Sequence, residues 1–183
     1  MTPGGSLLDV GCAFGRFLEE ARAHYRCEGM DISAYVLERA RRRLPGIPLT
    51  QGRIEAFRPG VHYDVVTCFD VLEHVPDLDL ALVRLRDLLS PRGILAIAVP
   101  VYDSPAGWAF GLLDRDATHV HRHGRRHWLQ RLSAAELRPV VYKGILRVPL
   151  PAGCFLHLTS GMFRAFSSAI FVIAMRAGAP ARS

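Results

Sequence analysis

Short apolar runs alternate with helically spaced segments along this chain. Residues 6–10, SLLDV, form an apolar run closed by Gly11, as a buried parallel strand requires. Residues 15–25, GRFLEEARAHY, put Phe17, Leu18, Ala21 and Tyr25 on one helical face. CEGMDIS (27–33) reads as a second strand ending at Asp31, and AYVLERARRRL (34–44) as a second helix stopped by Pro45 and Gly46. IPLTQG (47–52) is a short third strand and YDVVTCF (63–69) a strong fourth. LDLALVRLRDLLS (78–90) is a third amphipathic helix, ended by Pro91 and Gly93, and GILAIAVPV (93–101) is a fifth strand.

This β-α-β-α-β-β-α-β order is the rhythm of a doubly wound parallel sheet. A mixed loop and helix region follows, then a helix over RRHWLQRLSAAEL (125–137). PVVYKGILRV (139–148) and AIFVIAMRA (169–177) read as two final strands, joined by a long excursion through Pro149, Pro151 and Gly153. No repeat or low-complexity tract divides the 183 residues, so 1–183 is expected to be a single domain.

Half of the residues are hydrophobic, which excludes a disordered chain. The net charge of +6 rests on scattered arginines, with Lys143 the one lysine. That excess permits contact with nucleic acid without demanding it. The four cysteines, Cys12, Cys27, Cys68 and Cys154, lie far apart without metal-ligand spacing, and read as reduced thiols in a cytoplasmic protein. The most apolar region, residues 154–175, is broken by His157 and Arg164, so no transmembrane span is expected.

The first βα loop, DVGCAFGR, carries the chemistry. Glycines there let a ligand approach the backbone at the carboxyl ends of the strands. The third glycine of the dinucleotide pattern is absent, and the pattern reads D-x-G-x-A-x-G instead. A carboxylate at Asp9 is unfavourable beside a pyrophosphate. It is favourable beside the ammonium and sulfonium of S-adenosylmethionine, which are both positive. Asp31, at the end of the second strand, suits the hydroxyls of an adenosine ribose in either class of cofactor. A helix cap is the simpler alternative for Asp31, although Ser33 suits that role better.

LLDVGCAFGRFLEEA, GMDIS, QGRIEAF, YDVVTCFDVLEHVPD and LLSPRGILAIAVP, spanning roughly residues 6–101, together resemble the class I S-adenosylmethionine-dependent methyltransferases. The narrower resemblance is to the type 11, or ubiquinone-biosynthesis-like, small-molecule enzymes, and DATHVHRHGRRHW is similar to a later family segment. The resemblance implies a Rossmann-like α/β sheet of seven strands in the order 3-2-1-4-5-7-6, the last antiparallel, with helices on both faces. It implies that Asp9, Gly11, Cys12, Ala13 and Gly15 cradle the methionine part of the cofactor, and that Asp31 holds the ribose. Ile32 and Ile54 would flank the adenine, with Phe69 and Asp70 under the methionine end. The chain departs from the family at Ala13, where glycine is usual, and at Arg53, where an aspartate often accepts from the adenine amine. Arginine has no acceptor atom, so Arg53 would stack on the ring or leave the role to Glu55. The first strand also starts close to residue 1, so a domain without the family's N-terminal cover helices is expected.

Methyl transfer from a sulfonium needs alignment, exclusion of water and, for a hydroxyl acceptor, a base. His119 is the first candidate base and His74 the second, with packing or capping as the simpler role for His74. His119, His121 and His123 alternate, which is not a usual zinc spacing. Asp70, Glu73 and His74 resemble a carboxylate-histidine cluster that binds magnesium in some relatives, but Glu73 and His74 read as ordinary helix-start residues, and no metal is expected. Trp108, Phe110, Trp128 and the aromatics of residues 155–166 are core or line an apolar pocket. The expected activity is methyl transfer to an O, N or C nucleophile of a small molecule with an apolar or aromatic part, releasing S-adenosylhomocysteine, with a homodimer compatible. An RNA methyltransferase is a weaker alternative, because CFDV stands where base-amine enzymes carry an N-P-P-Y-type tetrad. A catalytically silent cofactor-binding module is the third reading.

Overall fold

In the computed structural model, residues 4–113, 116–149 and 155–178 are described. β1 (Ser6–Val10), β2 (Arg26–Asp31), β3 (Leu49–Gln51), β4 (Tyr63–Phe69) and β5 (Leu89–Pro100) pair in parallel around β1. β6 (Leu137–Pro149), β7 (Phe155–Ser160) and β8 (Ala169–Arg176) extend the sheet with antiparallel ladders. The order is β3-β2-β1-β4-β5-β8-β6-β7.

Among the described residues the sheet has eight strands, which corrects the expected seven. The predicted insertion of the last strand beside β5 is present, because β8 pairs antiparallel with β5 and with β6. The additional strand, β7, lies within the long excursion expected between the two final strands. It pairs only with the far side of β6, from Gly144↔Ser160 to Pro149↔Phe155. Cys154 and Pro151 lie outside the described residues.

The helices are α1 (Arg16–Ala21), α2 (Ala34–Arg43), α3 (Leu78–Asp87), α4 (Pro105–Leu113) and α5 (Arg125–Ala134). Capping chemistry places two of their starts. Ser33 accepts from the Val36 amide at α2, and Asp77 accepts from the Leu80 amide at α3. α3 stops at Asp87 and β5 begins at Leu89, earlier than the Pro91–Gly93 break suggested.

Two main layers of core flank the sheet. α1 and α2 bury Leu18, Leu37 and Leu44 with Leu7 and Val65 on one face. α3 and α5 bury Leu82, Leu85, Trp128 and Leu132 with Leu8, Val66 and Ile97 on the other. The Trp128 indole N–H donates to the Pro100 carbonyl at 3.1 Å, so this tryptophan is core and not pocket lining. Cys12, Cys27 and Cys68 are buried free thiols. Among the described residues no helix is long and apolar enough to cross a membrane.

Candidate active site

The carboxyl ends of β1, β2 and β4 face one cavity of about 280 Å³. It is lined by Gly11 and Ala13 from the first loop, Asp31 and Ile32 beyond β2, Arg53 to Glu55 beyond β3, and Asp70, Val71, His74 and Val75 beyond β4. A smaller hollow of about 170 Å³ shares Gly11 and Ala13 with it and adds Asp9, Cys12, Phe17 and Phe69. Strand ends meet here because β1 to β5 run parallel, which sets their βα loops on the same edge.

The loop owes its shape to left-handed backbone at Gly11 (φ 78°), Ala13 (φ 46°) and Gly15 (φ 75°). A Cβ on Gly11 would stand 2.1 Å from Cγ2 of Val71, so glycine here keeps the cavity open as well as permitting the turn. The Gly11 and Cys12 amides both donate to the Met30 carbonyl, tying the loop to β2.

Asp31 has a role that sequence reasoning missed. Its Oδ2 accepts from the Ala13 amide at 3.0 Å and its Oδ1 from the Ser33 amide at 2.9 Å. It thus clamps the loop to the start of α2. Each carboxylate oxygen keeps a further lone pair, and Asp31 lines the cavity.

Asp9 is 4% exposed. Its Oδ1 accepts from the Thr67 hydroxyl at 2.6 Å, across the β1–β4 ladder. Burial pushes its carboxyl up to about 7, with the Thr67 bond opposing and the Asp31 charge adding. Burial and the Asp9 charge likewise push the Cys12 thiol up to about 12, so Cys12 is a wall and not a nucleophile.

Ile54 is buried at the start of a 3₁₀ turn, while Ile32 and Arg53 stand out at the rim. The Arg53 guanidinium lies 3.7 Å from Glu55 Oε1, so these two side chains share the rim. Phe69 is half-buried and meets the edge of Phe17 at 5.4 Å between ring centroids. Asp70 has φ 52° and pairs with Arg147 from the far strand β6.

His74 and His119 converge, with ring centroids 4.7 Å apart. His74 lines the cavity, whereas His119 packs behind it. Nδ1 of His74 lies 2.8 Å from the Thr118 hydroxyl, and Nδ1 of His119 lies 3.3 Å from the Tyr102 hydroxyl. Thr118 and Tyr102 thus orient the pair, and neither was legible as a site residue. Buried Glu73 joins them, with ligand-type atoms of Glu73, His74 and His119 all within 4.8 Å of one another. Among the described residues this is the one group with the spacing to hold a metal ion.

The alternating histidines take no strand. His121 Nε2 lies 2.8 Å from the Val75 carbonyl, and His123 stacks on His127 at 3.7 Å. Trp108 is exposed on α4 and Phe110 is half-buried near Tyr102.

The sequence matches the family described as a methyltransferase domain over residues 2–142. It is 36% identical over 97 residues to dTDP-4-amino-2,3,4,6-tetradeoxy-D-glucose N,N-dimethyltransferase of Saccharopolyspora spinosa, covering 50% of this chain and 39% of that one. It is 37% identical over 103 residues to ubiquinone biosynthesis O-methyltransferase of Actinobacillus pleuropneumoniae, covering 50% and 44%. The chain spans less than half the length of these relatives. An S-adenosylmethionine-dependent methyltransferase from Clostridium acetobutylicum shares the fold, with a TM-score of 0.72 at 13% identity over 94% of this chain and 84% of that one.

Proposed function

The chain belongs to the methyltransferase-domain family, and we propose that it transfers the methyl group of S-adenosylmethionine to an O, N or C nucleophile of a small molecule. The observation that carries this reading is the buried Asp9 carboxyl at the foot of a glycine loop, beside a cavity whose other end holds Asp31. In its ionised form this carboxyl fits a cationic ligand part and repels a pyrophosphate.

Asp9, Gly11, Cys12, Ala13 and Gly15 would hold the methionine part, with the ammonium against Asp9. Asp31 would take the ribose hydroxyls on its remaining lone pairs, and Ile32, Arg53 and Ile54 would bracket the adenine. Phe69 and Asp70 end the strand beneath the reacting centre. When bound, the cofactor supplies an activated methyl on sulfur, so the protein's part is alignment and proton removal. His74 faces the cavity and is the better placed base, with His119 behind it to share the proton. This reverses the order expected from sequence, because the loop after β5 sets His119 behind the imidazole of His74.

The acceptor is read as a small molecule with an apolar or aromatic part, which Phe17, Phe69 and Phe110 would meet. The described residues are read as one domain working in the cytoplasm. The test is thermal unfolding with S-adenosylmethionine, S-adenosylhomocysteine or NAD, for the wild type and Asp9→Asn. A ligand at about 100 times its Kd adds roughly 2.7 kcal/mol. A shift with both sulfur ligands, reduced in Asp9→Asn and absent with NAD, is the expected result. No shift, or a shift with NAD alone, removes the reading.

A further inference from the structure

β6 runs in the same direction as β5, because both are antiparallel to β8. Its ladder with β8 ends at Ile145↔Ala169, yet β6 continues to Pro149 with only β7 beside it. Arg147 therefore stands beyond the end of β8, on the sheet edge where the cavity opens. From there its guanidinium reaches Asp70, which ends β4 and lines that cavity.

Arg147 is an unusual group for this place. Its side chain is only 15% exposed. The Phe110 ring centroid lies 5.9 Å from its guanidinium carbon. Its Nε is shut from solvent and has no hydrogen-bond partner among the described residues. A guanidinium offers five N–H donors in a planar fork that matches an oxyanion, and here one acceptor, half-exposed Asp70, is in place. Buried donors are rarely left unpaired. Nη2 is engaged by Asp70, so the Nη1 donors are the part of the fork that a ligand oxyanion can take.

We propose that Arg147 determines acceptor specificity by pairing with an acidic oxyanion on the acceptor, carboxylate or phosphate, an inference that rests on the methyl-transfer reading above. Asp70 holds the guanidinium in position over the end of β4. A site built to pair with such a group discriminates strongly against the analogue that lacks it, because the arginine is then left short of partners. It also disfavours acceptors that are cations.

The test titrates benzoate, phenyl phosphate, trans-aconitate and neutral methyl benzoate into the wild type, Arg147→Gln, Arg147→Lys and Arg138→Gln. Each titration is run with and without S-adenosylhomocysteine, with binding read by calorimetry. Arg138 is an exposed arginine near the opposite end of β6 and controls for net charge. The expected result is that at least one acid binds more tightly than the ester, and that Arg147→Gln weakens that acid roughly tenfold or more, the loss of one charge-assisted pair. Arg147→Lys is intermediate, Arg138→Gln is unchanged, and the ester is indifferent to all three. Carboxylates against phosphate then identify the oxyanion. If no acid binds better than the ester, or if Arg147→Gln weakens acid and ester alike, the proposal fails and Arg147 is a structural tie. S-adenosylhomocysteine binding is scored separately, so its absence strikes the methyl-transfer reading and not the acid preference.

Discussion

The Thr67 hydroxyl donates to Oδ1 of Asp9 across 2.6 Å, joining the middle of β4 to the end of β1. Among the described residues it is the one hydrogen bond of the Asp9 carboxyl, and it does not offset the cost of burial, so the acid stands near 7. Because this folded-state value lies above the unfolded one, the folded protein holds more protons between them. The contribution to stability is full below about pH 4 and is lost as pH rises through 7. Thermal unfolding of the ligand-free protein should therefore show this loss, and Asp9→Asn should flatten it. Calorimetry in buffers of different ionisation enthalpy should detect proton release when S-adenosylhomocysteine binds near pH 6. Asp9→Asn should weaken that binding about 10- to 100-fold, as for one charged hydrogen bond.

Gly11→Ala should lose cofactor binding and stability together. The new methyl meets Val71 at 2.1 Å and the backbone stays at φ 78°. The expected cost is about 1–3 kcal/mol from overpacking and strain. Adding Val71→Ala should restore part of the stability and none of the backbone strain, as denaturant melts of the three variants can show.

The histidine pair should separate chemistry from binding. His74→Ala is expected to lower kcat by about 10²- to 10⁴-fold for a hydroxyl acceptor. S-adenosylhomocysteine affinity should stay near the wild-type value. Thr118→Val, which removes the hydroxyl 2.8 Å from His74 Nδ1, should act in the same direction more weakly. Equal loss of cofactor binding would assign His74 to the cavity wall alone.

Acid should loosen the segment behind the site. Burial and neighbouring positive groups, His121 and Arg131 among them, push His123 and His127 below the usual imidazole value. The folded state thus binds fewer protons than the unfolded one, and stability is lost as pH falls below about 6.5. His127→Asn should reduce that acid sensitivity. Hydrogen exchange over residues 119–127 at pH 5 and pH 7 measures it directly.

Much of this was legible because it is local. Strand and helix alternation, the cap at Ser33 and the glycine loop depend on residues a few positions apart, and local pattern reports them. Asp9 and Asp31 could be picked out for the same reason: each ends a strand beside a loop. β7 was missed because its partner β6 supplies the pairing, and its own run FLHLTS sits among prolines and glycines that read as loop. Thr67 was passed over as one polar residue in an apolar strand.

The sequence by itself determined the doubly wound pattern, the donor loop and the class of cofactor, since backbone geometry and charge at that loop follow from adjacent residues. Tertiary structure alone decided the eighth strand, the stacking of His119 behind His74, the Thr67 bond to Asp9 and the reach of Arg147 to Asp70. Each of these joins residues from separate strands or loops. Such pairs are set by how the sheet orders and aligns its strands, which no spacing along the chain encodes.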